Sequence, residues 1–232
     1  TTNLAIALAL QGKDVGVVDA DVWGFSIPRM LGIDRPPTII NELLIPPERH
    51  GVKAISMGFF AKEDQPVIWR GPMLHKALEQ FLTDVYWDDP DYLLIDLPPG
   101  TGDAQLSLAQ AVPMAGVIIV TTPQKVSLQD ARRGLAMFKQ MGIKVMGVVE
   151  NMSAFVPPDQ PERRYALFGA GGGEQLAREN NVPLLAQIPM EMPVQEGGNE
   201  GTPIVHGRPD SLSAAAFKQL AKQVLDCASQ RN

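Results

Sequence analysis

The chain has 232 residues, enough for one substantial hydrophobic core, and its 45% hydrophobic and 20% charged content is that of an ordinary folded domain, not a disordered or fibrous chain. With 20 basic against 26 acidic residues the formal charge is −6, so generic attraction to nucleic acid or to an anionic membrane is not expected. The single cysteine, Cys227, permits no internal disulfide, as in a reducing cytoplasm, and no apolar run reaches the roughly 18–20 residues that span a bilayer.

In chain order, residues 1–10 (TTNLAIALAL) read as an apolar helix that begins at once, as expected of a first βαβ unit whose strand and loop lie ahead of Thr1. Short β-branched runs ending in polar, Pro or Gly residues then predict strands at 15–19 (VGVVD), 53–57 (KAISM), 92–96 (YLLID), 116–121 (GVIIVT), 145–150 (VMGVVE) and 184–188 (LLAQI). Helical spacing predicts helices at 72–85, 104–111, 127–141, 173–180 and 210–228. The proline-rich stretch 32–51 and the stretch 155–164 (FVPPDQPERR) read as surface insertions. Strand and helix alternate, which predicts an α/β fold: a doubly wound, mainly parallel sheet with helices on both faces, as a single domain over 1–232. Right-handed crossovers then bring the C-terminal ends of the strands to one edge, where such sheets bind ligands.

The chemistry-bearing residues fall at those ends. Asp19 and Asp21 (VVDAD) follow the first strand and Asp96 (LLIDLPPGTGD) closes another. Two like charges about 4 Å apart repel by roughly 4 kcal/mol at an effective dielectric of 20, so acids gathered on one edge call for a cation, and Mg²⁺ is the natural one. An apolar strand ending in Asp is the Walker B pattern, in which the carboxylate holds Mg²⁺, usually through water, while the metal bridges phosphates, and Asp96 suits that role. Gly100, in the turn after it, is placed to offer its amide to a γ-phosphate and to move when that phosphate leaves. Asp21 suits positioning of the attacking water, and Asp19 contact with the bound nucleotide; helix or loop capping is the alternative for both acids. Asn151 (GVVENMS) ends the 145–150 strand, where its amide can both donate to and accept from adenine, or simply make a turn. Pro189 and Met190 end the next strand as walls of a base pocket or as a plain strand stop.

Other signals read as structural. The Gly-rich 169–173 (GAGGG) lacks a following Lys-Ser or Lys-Thr and reads as a helix entry, not a phosphate loop. His50, His75 and His206 show no ligand spacing. Phe217, Leu220, Val224 and Leu225 form the apolar stripe of the last helix, expected against the sheet and not on a membrane.

Taken together, VDADVWGFSIPRMLG, SMGFF with VIWRGPMLHKALEQFL, LLIDLPPGTGDAQLSL, VTTPQKVSLQDARRGL, and GVVENMS with FGAGGGEQLA closely resemble the Mrp-type (ApbC-like) ATPases, of the MinD, ParA and nitrogenase iron protein class of phosphate-loop proteins. The resemblance covers nearly the whole chain, and the Trp-Arg-Gly-Pro-Met segment at 69–73 is particularly diagnostic. It implies a phosphate loop ahead of the Asn3-Leu4-Ala5 helix, Asp21 in the first switch, Asp96 at Walker B and Asn151 at adenine. It further implies ATP and Mg²⁺ as ligands, ATP hydrolysis by the full-length protein, a cytoplasmic homodimer, and delivery of iron–sulfur clusters to apoprotein clients. Without the loop's lysine and amides, the chain as given is expected to bind ATP poorly and to be inactive. Many members hold the cluster with a Cys-x-x-Cys pair between the Asn-Met-Ser and Phe-Gly motifs, whereas AFVPPDQPERRYAL stands there and has no cysteine. A MinD- or ParA-like positioning or partner-regulating switch is the alternative.

Overall fold

The computed structural model describes residues 1–21, 24–60, 71–102, 105, 106, 109 and 112–229. The predicted helix at 104–111 and residues 69 and 70 of the diagnostic segment lie largely or wholly outside them. The chain forms two compact units, Thr1–Val112 with Gly197–Gly207, and Pro113–Glu196 with Arg208–Asn232.

The first unit opens with α1 (Thr2–Ala9), in which Thr2 through Leu8 are all buried, as an all-round apolar helix must be. Its one amide side chain there is satisfied: Asn3 Oδ1 accepts the Val205 amide at 3.2 Å. Strand β1 (Val15–Asp19) is buried throughout and is followed by the short α2 (Ile27–Leu31). Strands β2 (Thr38–Ile40) and β3 (Leu43–Ile45) then pair antiparallel, and β4 (Glu48–Arg49) leads into β5 (Val52–Ser56) and a 3₁₀ turn, Met57–Phe60. Helix α3 (Gly71–Thr83) precedes β6 (Tyr92–Asp96). The sheet order is β4-β5-β1-β6, with β5, β1 and β6 parallel and β4 antiparallel on the edge. Gly16, in the middle of β1, is required by packing: a Cβ there would stand 2.7 Å from the Trp87 ring and from Leu93.

In the second unit β7 (Val117–Thr121), β8 (Val145–Glu150) and β9 (Leu184–Gln187) form a parallel sheet in that order. Helix α4 (Lys125–Gln140) packs on β7 and α5 (Gly172–Glu179) on β8. Helix α6 (Met192–Glu200) follows in the chain, and α7 (Ile204–Gly207), within the first unit, packs on α1. The final helix, α8 (Leu212–Ser229), lies on β9 with Leu220 and Val224 of the predicted stripe buried and Phe217 and Leu225 half-buried. Among the described residues no helix is long and apolar enough to cross a membrane.

All six predicted strands are present to within one residue at each end. The stretch 32–51, read as an irregular insertion, instead contains the β2–β3 hairpin, whose two turn residues Asn41 and Glu42 have φ of 50° and 68°. Positive φ at both central positions is the tight turn that suits the strands' twist, and Asn-Glu replaces the usual Asn-Gly signal, which hid it. Strand β3 also pairs outward, Leu44 accepting from Tyr86 and donating to Asp84 at 2.8 Å each.

Candidate functional site

Asp19 closes β1 and Asp96 closes β6, and the two are register partners on adjacent parallel strands, with the Ala20 amide donating to the Asp96 carbonyl at 2.9 Å. Both acids therefore arrive at the C-terminal edge of the first unit's sheet. The start of α1 meets the same edge, because the Thr1 hydroxyl donates to Asp96 Oδ1. A helix N-terminus carries unpaired N–H groups and roughly half a positive charge, so this corner unites a half-buried carboxylate, a hydroxyl and a helix end that favours anions.

Asp21 lies two residues past β1 and is half-buried. The Gly24 amide donates to its carbonyl at 3.3 Å, and a Cβ at Gly24 would come within 3.2 Å of Asp21 Oδ2, so a glycine there leaves the carboxylate room.

Asp19 is fully buried and its Oδ2 is held by three donors: the Ser26 and Ile27 amides, each at 3.2 Å, and the Ser56 hydroxyl at 3.0 Å. Burial pushes its carboxyl up to about 6, with the Asp96 charge adding to the rise against the lowering by the Ser56 and Ile27 hydrogen bonds. The acid expected to contact nucleotide is thus engaged by the chain's own donors. Ser56, its register partner at the end of β5, in turn accepts from the Gly58 amide at 3.0 Å.

The turn after β6 is fixed from one side. Gln105, 3% exposed, donates from Nε2 to the Pro98 carbonyl at 2.7 Å and the Pro99 carbonyl at 3.1 Å. Gly100 follows, exposed, with φ of 98° and nothing within 4 Å of where a Cβ would stand. That backbone conformation is natural only to glycine.

In the second unit Asn151 follows β8 directly, its amide donating to the Thr121 carbonyl at 2.7 Å. Its Oδ1 accepts the Met152 amide at 3.0 Å, which makes it a turn former as well as a polar side chain at the strand end. The chain then runs beside Pro189 and Met190: Ser153 donates to Ile188 at 3.0 Å, Met190 to Ala154 at 2.8 Å, and Val156 to Met190 at 3.0 Å. Asn151, Pro189 and Met190 thus share the C-terminal edge of the second sheet. Buried Glu150 ends β8 with Oε2 accepting the Gly173 amide at 2.6 Å and Oε1 accepting Gln187 Nε2 at 2.8 Å. The Gly-rich entry to α5 is therefore capped by the protein's own carboxylate.

The histidines are not all apart: the His50 and His206 rings stand 4.3 Å centroid to centroid, and His50 Nε2 lies 3.0 Å from the Gly201 carbonyl. Sequence spacing gave no sign of this, since 156 positions separate two residues joined only by the fold. Ser26, Ser56 and Gln105 were likewise missed. Ser56 had one usable signal, a polar residue closing an apolar strand on the ligand edge.

Among the described residues no three His, Cys, Asp or Glu side chains gather to hold a metal. Mg²⁺ needs no such cage, because it retains water and takes one or two carboxylates plus phosphates, a donor set that Asp96 fits. A thiolate-held cluster is different. No cysteine lies between Asn151 and Phe168, and Cys227, half-buried in α8, is the chain's only thiol.

Comparisons with known proteins bear on the family and the fold. The chain is 56% identical over 227 residues to an iron–sulfur cluster carrier protein of Synechocystis, covering 96% of this chain and 64% of that one, so it spans less than two thirds of that relative's length. Among solved structures, it is similar to a nucleotide-binding protein of Archaeoglobus fulgidus in complex with ADP, at 35% identity and TM-score 0.75, covering 86% of this chain and 79% of that one. It is also similar to the cell division ATPase MinD of Pyrococcus furiosus, at 26% identity and TM-score 0.70, covering 97% and 91%. The family model described as ParA, NUBPL iron-transfer P-loop NTPase matches residues 1–225, and the chain belongs to that family.

Proposed function

We propose that this chain is the body of an ATP-hydrolysing iron–sulfur cluster carrier or assembly factor, acting as a cytoplasmic homodimer on apoprotein clients. The observation that carries the nucleotide reading is the corner at the end of β1 and β6, where Asp96 meets the start of α1 and from which the chain leads on to Asp21. Asp96 is the residue that would hold Mg²⁺, which when bound would supply charge to neutralise the phosphates. Asp21 orients the attacking water and accepts its proton. Gly100 offers its amide to the terminal phosphate, and its conformational freedom lets the turn relax when that phosphate departs. Asn151, walled by Pro189 and Met190, receives adenine through the amide nitrogen that Met152 does not use.

The carrier role rests on the relative at 56% identity, and the MinD-like switch is supported only by a more distant likeness at 26%. Cluster transfer is assigned no step here, because the residues between Asn151 and Phe168 include no thiolate. Anaerobic reconstitution of the full-length protein tests the role by iron and sulfide content and by activation of an apoprotein. Retention and delivery of a cluster support it. Intact ATPase activity with no retained iron, together with ATP-dependent sedimentation on liposomes, would replace it with the switch.

A further inference from the structure

Asp19 stands at the base of the loop that carries Asp21, and its buried carboxylate reaches across to the loop's far end. Oδ2 accepts from the amides of Ser26 and Ile27, so the span that leaves Asp19 in the chain is tied back to its side chain at Ser26 and Ile27. A second tie joins this span to β5. The Ser56 hydroxyl donates to the same oxygen, the Gly58 amide donates to Ser56, and Gly58 packs so closely on the loop that a Cβ there would lie 2.9 Å from the Phe25 side chain. Helix α2 has no side-chain cap from its own Ser26, so the Asp19 carboxylate takes that place from the neighbouring strand.

We propose that Asp19 is a positioning residue: it anchors Ser26 and Ile27 to the end of β1 by hydrogen-bond acceptance, and so fixes where Asp21 meets the reacting water, with Ser56 and Gly58 bracing it. This rests on the ATPase reading of Asp21. The role requires an acceptor oxygen at Oδ2 and not a negative charge. That separates Asp19 from a metal ligand or a catalytic carboxylate, for which loss of charge is as damaging as loss of the side chain.

The test compares Asp19→Asn, Asp19→Ala and Ser56→Ala in the full-length protein, with kcat for ATP hydrolysis and Kd for a fluorescent ATP analogue measured separately. Misplacing a catalytic group by about 1 Å costs up to about 100-fold in rate. Expected are an Asp19→Asn variant within about 3-fold of wild-type kcat, an Asp19→Ala variant lower by about 10-fold or more, a Ser56→Ala variant in between, and Kd within about 3-fold for all. Asp19→Asn as slow as Asp19→Ala would overturn the proposal by showing that the charge acts directly. Should Asp19→Ala fail to fold, Ser56→Ala decides: wild-type kcat in that variant overturns the bracing. Wild-type protein without turnover removes the ATPase reading itself, and this inference with it, before any variant is compared.

Discussion

Replacing Asp19 by Asn should change how stability depends on pH. The Asp19 carboxyl is raised from 3.8 to about 6 because the folded chain buries it. Below 3.8 the group is protonated in folded and unfolded chains alike and costs nothing. Between 3.8 and about 6 the unfolded chain releases the proton while the folded chain keeps it, so stability falls as pH rises, and the loss is complete once the folded group ionises. At about 1.4 kcal/mol per unit, the penalty reaches about 3 kcal/mol by pH 7. Asn has no proton to lose, so wild type should lose about 3 kcal/mol relative to Asp19→Asn between roughly pH 4 and pH 7. With an m-value of about 2–3 kcal/mol/M this is a shift of about 1 M in the difference between urea midpoints. Trp87 is buried in the first unit, so its fluorescence reports the unfolding of that unit. Parallel midpoint curves for the two proteins across that range would refute the reasoning.

Gln105→Ala should free the Pro98 and Pro99 carbonyls and lower stability by about 1–3 kcal/mol, measured by urea denaturation, because the buried Pro98 carbonyl loses its donor. Gly16→Ala should cost about 1–3 kcal/mol and change Trp87 emission, because the new methyl would meet that ring at 2.7 Å; unchanged emission and midpoint would show that the strand shifts freely. Glu150→Ala should leave the Gly173 amide and the Gln187 side chain without their acceptor and destabilise the second unit by about 1–3 kcal/mol, seen as faster hydrogen exchange in α5.

The strands were readable because β1, β6 and β8 are continuous apolar runs with a polar last residue, the pattern of strands in a parallel sheet. The same runs named Asp19 and Asp96 as strand-end acids. What they did not reveal is that these two acids differ: one is enclosed by Ser26, Ile27 and Ser56, the other meets the start of α1. That difference depends on which strands are neighbours, and β1 lies between β5 and β6, a pairing set by the fold and not by sequence distance. Helices α2, α6 and α7 went unpredicted for a local reason. They are short or interrupted by glycine, as in Met192–Glu200 with Gly197 and Gly198 inside it, and tertiary packing outweighs propensity there. The His50–His206 contact and the Gln105 clasp on the proline turn are long-range or conformational in the same sense.

The most direct test of the nucleotide corner is Mg²⁺-dependent ATP hydrolysis by the full-length protein beside its Asp21→Asn and Asp96→Asn variants. The predicted result is turnover in wild type that stops when Mg²⁺ is chelated, an Asp21→Asn variant that binds ATP but turns over at least about 100-fold more slowly, and an Asp96→Asn variant that loses its response to Mg²⁺. Wild-type turnover in both variants would contradict it.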